Sequence, residues 1–150
     1  MQTFTVTRHV AAPVARVWAV ATDLAGAPSV IADIDAVTVL TPGPFGVGTR
    51  WRETRTMLGR TASEEMVVTA VAPERSYTAE ADSRRTHYSS TFTFAPAPDG
   101  GTRMAMSFGG EPSGGLAKAL TRLTAPLTRR AVEKTLRADL DDIAAAAERG

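Results

Sequence analysis

Hydrophobic and polar positions alternate along most of this chain. Over residues 2–10, Phe4, Val6 and then Arg8 fall on one side and Thr3, Thr5 and Thr7 on the other. Period two with β-branched residues predicts a strand. Pro13 breaks the alternation and suits the first turn of a helix; Val14, Val17, Trp18 and Ala21 then follow at helical spacing, closed by Asp23-Leu24-Ala25-Gly26. A second short helix is predicted over 28–33. From Asp35 the period returns to two, with Val37 and Val39 in a second strand and the turn-rich stretch 41–48 after it. Five further strands are predicted over 49–57, 63–71, 76–82, 86–95 and 102–108, the last two joined by a hairpin connection at 96–101. Short connections pair neighbouring strands antiparallel.

From Gly114 the chain is rich in Ala, Leu, Arg, Lys and Glu, which predicts one long helix. Its apolar residues form two stripes, one of Leu116, Leu120, Leu123 and Leu127, the other of Val132, Leu136, Leu140 and Ile143. At about 100° per residue these lie on nearly opposite sides of a straight helix. Pro126 stands between them, so a kink or break is expected there, each half facing a different partner.

Alternation also assigns faces. Thr49, Trp51, Glu53, Arg55 and Met57 share one side of their strand; Tyr77, Ala79 and Ala81 share another; so do Tyr88, Ser90, Phe92 and Phe94, and Met104, Met106 and Phe108. The apolar sets point inward, giving a lining rich in aromatic and methionine side chains that is either plain core or suited to a flexible or polycyclic apolar ligand. If Trp51 and Met57 point inward, period two carries Glu53 and Arg55 with them, unless a bulge or an early strand end lets both reach solvent. A buried charge is costly unless paired, so the two would support each other, or Glu53 would serve as a general base with its pKa raised by burial. Tyr77 and Tyr88 either offer hydroxyls to a carbonyl oxygen or reach the rim.

Composition narrows the classes. The 150 residues are 43% hydrophobic and 22% charged with a net charge of +1, ordinary for one globular domain over 1–150. There are no cysteines, which removes disulfides and thiolate chemistry. The two histidines, His9 and His87, lie in separate strands, His87 on a polar side, so neither a metal site nor any other cofactor is expected. No nucleophile-elbow pattern occurs, and no glycine-rich loop opens a helix as a phosphate site would. Arg84-Arg85 and Arg129-Arg130 are too short to make a phosphate-tracking stripe, so no nucleic-acid partner is expected. With neither a signal segment nor a run long enough to span a bilayer, a cytoplasmic location without stable membrane insertion is the default expectation. A monomer or a homodimer paired through edge strands is equally open.

The order strand, two short helices, six strands, long helix resembles the START-related helix-grip superfamily, in particular its polyketide cyclase/dehydratase-like branch. The residues that bear the resemblance are Val10-Ala11-Ala12-Pro13 with Val17-Trp18, Gly46-Val47-Gly48-Thr49 with Trp51, Pro73-Glu74-Arg75, Asp99-Gly100-Gly101-Thr102-Arg103 and the Leu/Arg-rich last helix. The resemblance implies an α+β fold in which a seven-stranded curved antiparallel sheet wraps around a long C-terminal helix, with a ligand cavity between them. Three readings follow. One is a carrier or sensor that binds a small hydrophobic, lipid- or polyketide-like molecule against Trp51, Glu53, Arg55, Met57, Tyr77, Tyr88, Phe92, Met104, Met106, Leu120, Leu123 and Leu127. The second is a cofactor-independent cyclase/dehydratase using Glu53, Arg55, Tyr77 and Tyr88 for aldol closure or dehydration. The third is an interaction or membrane-surface protein using Lys118, Arg122, Arg129, Arg130, Lys134 and Arg137 of the last helix.

Overall fold

The computed structural model describes residues 2–57, 59–83, 86–112 and 115–150, with side chains over 3–56, 59–82, 86–111 and 129–150. Strand β1 (Gln2–Val10) is followed by helices α1 (Val14–Thr22) and α2 (Ala27–Val30), then by β2 (Ile34–Val39), β3 (Arg50–Met57), β4 (Arg60–Ala72), β5 (Ser76–Ser83), β6 (Thr86–Pro96) and β7 (Thr102–Pro112), and the chain ends in α3 (Gly115–Arg149). The seven strands form one antiparallel sheet in the order β1-β7-β6-β5-β4-β3-β2. Every pairing but one joins sequence neighbours; the exception brings β1 beside β7. β1 and β2 are therefore the edges, and the two short helices carry the chain from one edge to the other. This is the α+β architecture that the resemblance implies, a seven-stranded antiparallel sheet with α3 packed on one face.

The alternation along the strands is what makes the core. Phe4, Val6 and Val10 of β1, Met104 and Met106 of β7, Phe92 and Phe94 of β6, Tyr77 and Ala79 of β5, Val68 of β4 and Trp51 of β3 are all buried on one face of the sheet. Val17 of α1 and Leu136, Leu140, Ile143, Ala144 and Ala147 of α3 complete the same cluster. The opposite face is paved with hydroxyl pairs that cross between strands, Thr5 with Ser107, Thr54 with Ser63 and Thr78 with Thr91. One face apolar and one wet is how an antiparallel sheet with a single cover arranges itself.

α3 is fixed in place by polar contacts at the links. Glu148 accepts the Ala11 backbone N–H at 2.9 Å, Asp142 accepts that of Ala32 at 2.9 Å, and Asp141 meets Arg8 of β1 at 2.9 Å. The buried Thr102 hydroxyl donates to the Ala12 carbonyl at 2.7 Å, tying the start of β7 to the β1–α1 link.

In four elements the structure departs from the sequence-based reading by more than a residue. α2 covers Ala27–Val30 rather than 28–33, because the Ile31 N–H closes on Ala27 and Ile34 already belongs to β2. β4 starts at Arg60 and β7 reaches Pro112, because their ladders pair that far, Met57 with Arg60 and Thr86 with Pro112. α3 runs as one helix across Pro126, so of the kink or break expected there, the break does not occur. A proline forfeits one hydrogen bond inside a helix, and a helix of 35 residues continues past that local cost.

Candidate functional site

β3 enters the sheet through a small turn. Gly48, at φ 94°, takes a left-handed conformation open to glycine, and its N–H bonds to the Val68 carbonyl while Val68 N–H returns to Thr49. From there β3 pairs with β4 without a register shift, from Arg50 with Val67 to Met57 with Arg60. The bulges of the sheet lie elsewhere, at Ile34/Ala36 and Val68/Ala70. An unshifted strand keeps period two, so Trp51, Glu53 and Arg55 all turn to the inner face. Neither a bulge nor an early end releases the two charges to solvent.

What they meet there is α3. Arg55 Nη1 donates to both carboxylate oxygens of Asp139, at 3.0 and 3.1 Å, and Arg55 Nε donates to Glu53 Oε2 at 3.1 Å. Trp51 Nε1 makes a longer contact of 3.4 Å with the other oxygen of Glu53. The side chains of Glu53 and Arg55 are each 19% exposed and that of Asp139 only 6%. Arg55 Nη2 has no partner among the described residues. The result is a guanidinium held rigid between two carboxylates, with one edge left for something else.

One guanidinium cannot neutralise two carboxylates, and the excess negative charge sits in a poorly solvated place. Burial works against the charge of Arg55, yet Asp139 and then Glu53 outweigh it and hold the guanidinium above its ordinary pKa. Asp139 is the group that gives way. Burial pushes its carboxyl up to about 6; Arg55 pulls the other way, and Glu53 and Asp33 add to the upward push. Tyr77 feels the same field: burial first, then the charges of Glu53 and Asp139, raise its phenol above the ordinary value and keep it a hydroxyl. The cluster thus holds a fixed cation, a carboxyl that exchanges its proton near neutral pH, and a phenol.

Next to this polar spot lies an aromatic group. Tyr77 stacks on Phe92 with centroids 5.0 Å apart and meets Phe45 and Trp18 edge-on at 5.0 and 6.1 Å. Trp18 in turn meets Phe94 edge-on at 5.4 Å. Met104, Met106 and Phe92 lie buried in the same cluster. Tyr88 is placed differently: it stacks on Phe108 at 5.5 Å, and no described contact ties it to Glu53, Arg55 or Asp139. The side chains of Met57, Leu120, Leu123 and Leu127 lie outside the described residues.

Comparison with known proteins gives the frame for this arrangement. The sequence matches the family described as polyketide cyclase / dehydrase and lipid transport over residues 1–148. The chain belongs to this family. No curated protein matches its sequence. Among solved structures it is similar to the Zhui aromatase/cyclase from Streptomyces sp. R1128, at 19% identity and TM-score 0.80, covering 99% of this chain and 94% of that one. It is similar to a START superfamily protein from Mycobacterium smegmatis at 14% identity and TM-score 0.79, covering 98% and 97%. It also matches half of the di-domain ARO/CYC StfQ from the steffimycin biosynthetic pathway, at 14% identity and TM-score 0.81, covering 98% of this chain and 50% of that one. At these identities the likeness is one of fold.

On the inner face, sequence reasoning reached Trp51, Glu53, Arg55, Tyr77, Phe92, Met104 and Met106, placed Trp18 on the buried side of α1 as a packing residue, and did not reach Asp139 or Phe45. Asp139 had a signal in the sequence: it precedes Leu140 in the apolar stripe of α3, an acidic residue at the edge of that helix's buried side. Phe45 had only its position in the turn-rich segment 41–48, which reads as exposed. His87 lies on the outer face, its side chain 43% exposed, with its ring nitrogens 2.7 Å from Glu80 and Asp82. Those two contacts, Glu80 first, raise its pKa. Among the described residues no three histidine, aspartate or glutamate side chains are grouped to hold a metal ion.

Proposed function

We propose that this protein binds a small hydrophobic molecule between the inner face of the sheet and α3, with a polar end of the ligand received by Arg55. The observation that carries this reading is the half-buried guanidinium itself, fixed by Glu53 and Asp139 at the margin of an aromatic cluster and presenting an Nη2 without a partner among the described residues. A few convergent polar groups in an apolar site are what orients a small ligand. Family membership supports the same reading, since the family covers both ligand transport and ring-closing chemistry. The described part of α3 exposes no large apolar residue, and no helix among the described residues is long and apolar enough to cross a membrane, so neither adds support to a membrane-surface role.

One observation favours a second reading, that the bound molecule is transformed. Asp139, with its pKa pushed up to about 6, exchanges a proton with a ligand far more readily near neutral pH than an ordinary aspartate does. In that reading Arg55 and the Tyr77 hydroxyl stabilise negative charge developing on a carbonyl oxygen while Asp139 moves a proton, which is enough for aldol closure or loss of water. Glu53, which accepts from Arg55 Nε, helps to orient the guanidinium in this reading.

The test is extraction and mass spectrometry of whatever co-purifies with the protein, followed by Arg55→Met and Asp139→Asn variants. A stoichiometric apolar molecule that is lost from Arg55→Met supports the binding site. Retention of the molecule by Asp139→Asn, with loss of any conversion, supports the second reading. A wild-type protein that holds no ligand and excludes a neutral polarity-sensitive fluorophore overturns both.

A further inference from the structure

The charge balance around Arg55 says more about the ligand than its apolar surroundings do. A lone buried arginine is a receptor for carboxylates, because guanidinium and carboxylate match in shape and charge. Here that role is already filled from inside the protein: Asp139 takes two hydrogen bonds from Nη1 and Glu53 takes one from Nε. With both carboxylates ionised the three groups sum to one negative charge. Among the described residues that act most strongly on Asp139, Arg55 is the only cation to relieve it. Asp33 lies close enough to Asp139 to raise its pKa, and Tyr77 is a neutral phenol. What Arg55 has left to give is hydrogen bonds from Nη2, without a net positive field behind them.

We propose that the site selects neutral carbonyl-bearing molecules, such as ketones and esters of long apolar chains or rings, and rejects the corresponding free carboxylic acids. The inference rests on the binding site proposed above and narrows its ligand class. A ketone or ester oxygen accepts from Nη2 and brings no charge. A carboxylate accepts equally well but enters a site already negative, against unscreened repulsion from Glu53 and Asp139. Two consequences separate this from simple hydrophobic binding. The preference is set by the flanking carboxylates and not by Arg55, so removing one of them should admit acids. It also weakens as Asp139 takes up its proton, because the cluster then becomes neutral.

The experiment compares 2-tridecanone with dodecanoic acid, matched in apolar length, by displacement of the neutral fluorophore N-phenyl-1-naphthylamine at pH 8 from wild-type protein and from Asp139→Asn and Glu53→Gln. We expect the ketone to displace the probe from wild type at a concentration at least about tenfold lower than the acid, the scale on which one unscreened charge acts at a partly buried site. Each variant should narrow that ratio to within about threefold, through tighter binding of the acid. Equal potency of ketone and acid on wild type overturns the proposal, and so does a ratio unchanged in the variants that remain folded by circular dichroism. Should one variant not fold, the other serves, since each removes a single negative charge. Failure of the wild type to bind the fluorophore at all overturns the binding site, a result distinct from binding without selectivity.

Discussion

At the scale of single residues, the unusual group is Asp139. An aspartate 6% exposed and facing an arginine would be expected to hold its proton loosely, but burial, and after it the second carboxylate, reverse this and its pKa rises to about 6. The consequence for stability has a definite sign. A carboxyl whose pKa is higher in the folded than in the unfolded chain favours folding while it is protonated. Its contribution is complete below the ordinary value of 3.8 and is lost as pH rises through about 6. Asparagine at this position keeps an acceptor for Arg55 but does not ionise. Wild type should therefore lose stability relative to Asp139→Asn between pH 4 and pH 7, by up to roughly 3 kcal/mol, the size that a shift of about two units implies. Urea denaturation of both proteins across that range measures the difference. Curves that run parallel with pH would show that Arg55 fully compensates the charge.

At the scale of elements, what was legible in the sequence was periodicity. The inward sets of β1, β3, β5, β6 and β7 are those the alternation assigns, and the second stripe of α3 is buried at Leu136, Leu140 and Ile143. Where reading failed, the cause was an interaction that period does not encode. The extent of β4 and β7 depends on how far a partner strand continues, and the helix through Pro126 continues despite a residue whose local preference is to stop it. The pairing of Arg55 with Asp139 spans 84 positions and joins a strand to a helix, so only the folded chain brings it together. The close approach of β7 to the β1–α1 link is of the same kind. At Gly101 a Cβ would stand 2.5 Å from the Val10 carbonyl oxygen, a backbone atom that cannot rotate away. Gly101→Ala should therefore destabilise the protein by about 2 kcal/mol, since overpacking against a fixed atom forces a backbone shift. At Gly100, where nothing lies within 4 Å but φ is 86°, alanine should cost only the backbone strain of about 1 kcal/mol. Chemical denaturation of the two variants orders them, and the reverse order would mean that the β6–β7 connection, not the packing beneath it, is the constrained part.

At the scale of the whole molecule, one face of one sheet and one helix share a single buried cluster, which runs from Phe4 on β1 to Trp51 on β3 and to Ala147 on α3. No part of it is large enough to form a second core, so unfolding should be cooperative, as it is for most chains of this size. The two tryptophans sample different places within that cluster: Trp18 stands in the aromatic group with Phe45, Tyr77 and Phe94, while Trp51 contacts Glu53 in the charged triad. A ligand seated between sheet and α3 binds only the folded chain. At a free concentration a hundredfold above its Kd it should stabilise the whole molecule by about 2.7 kcal/mol, which for a domain of this length raises Tm by roughly 5–10 °C. The shift should be the same in wild type, Trp18→Phe and Trp51→Phe proteins, each followed by its remaining tryptophan fluorescence and by far-ultraviolet circular dichroism. Equal shifts at both reporters and in the backbone signal mean that the grip of sheet on helix is one cooperative unit and that ligand energy is spread through all of it. A shift seen at Trp51 alone would mean that α3 and the neighbouring part of β3 open independently of the rest, and the ligand would then be holding down a movable cover instead of stabilising a core.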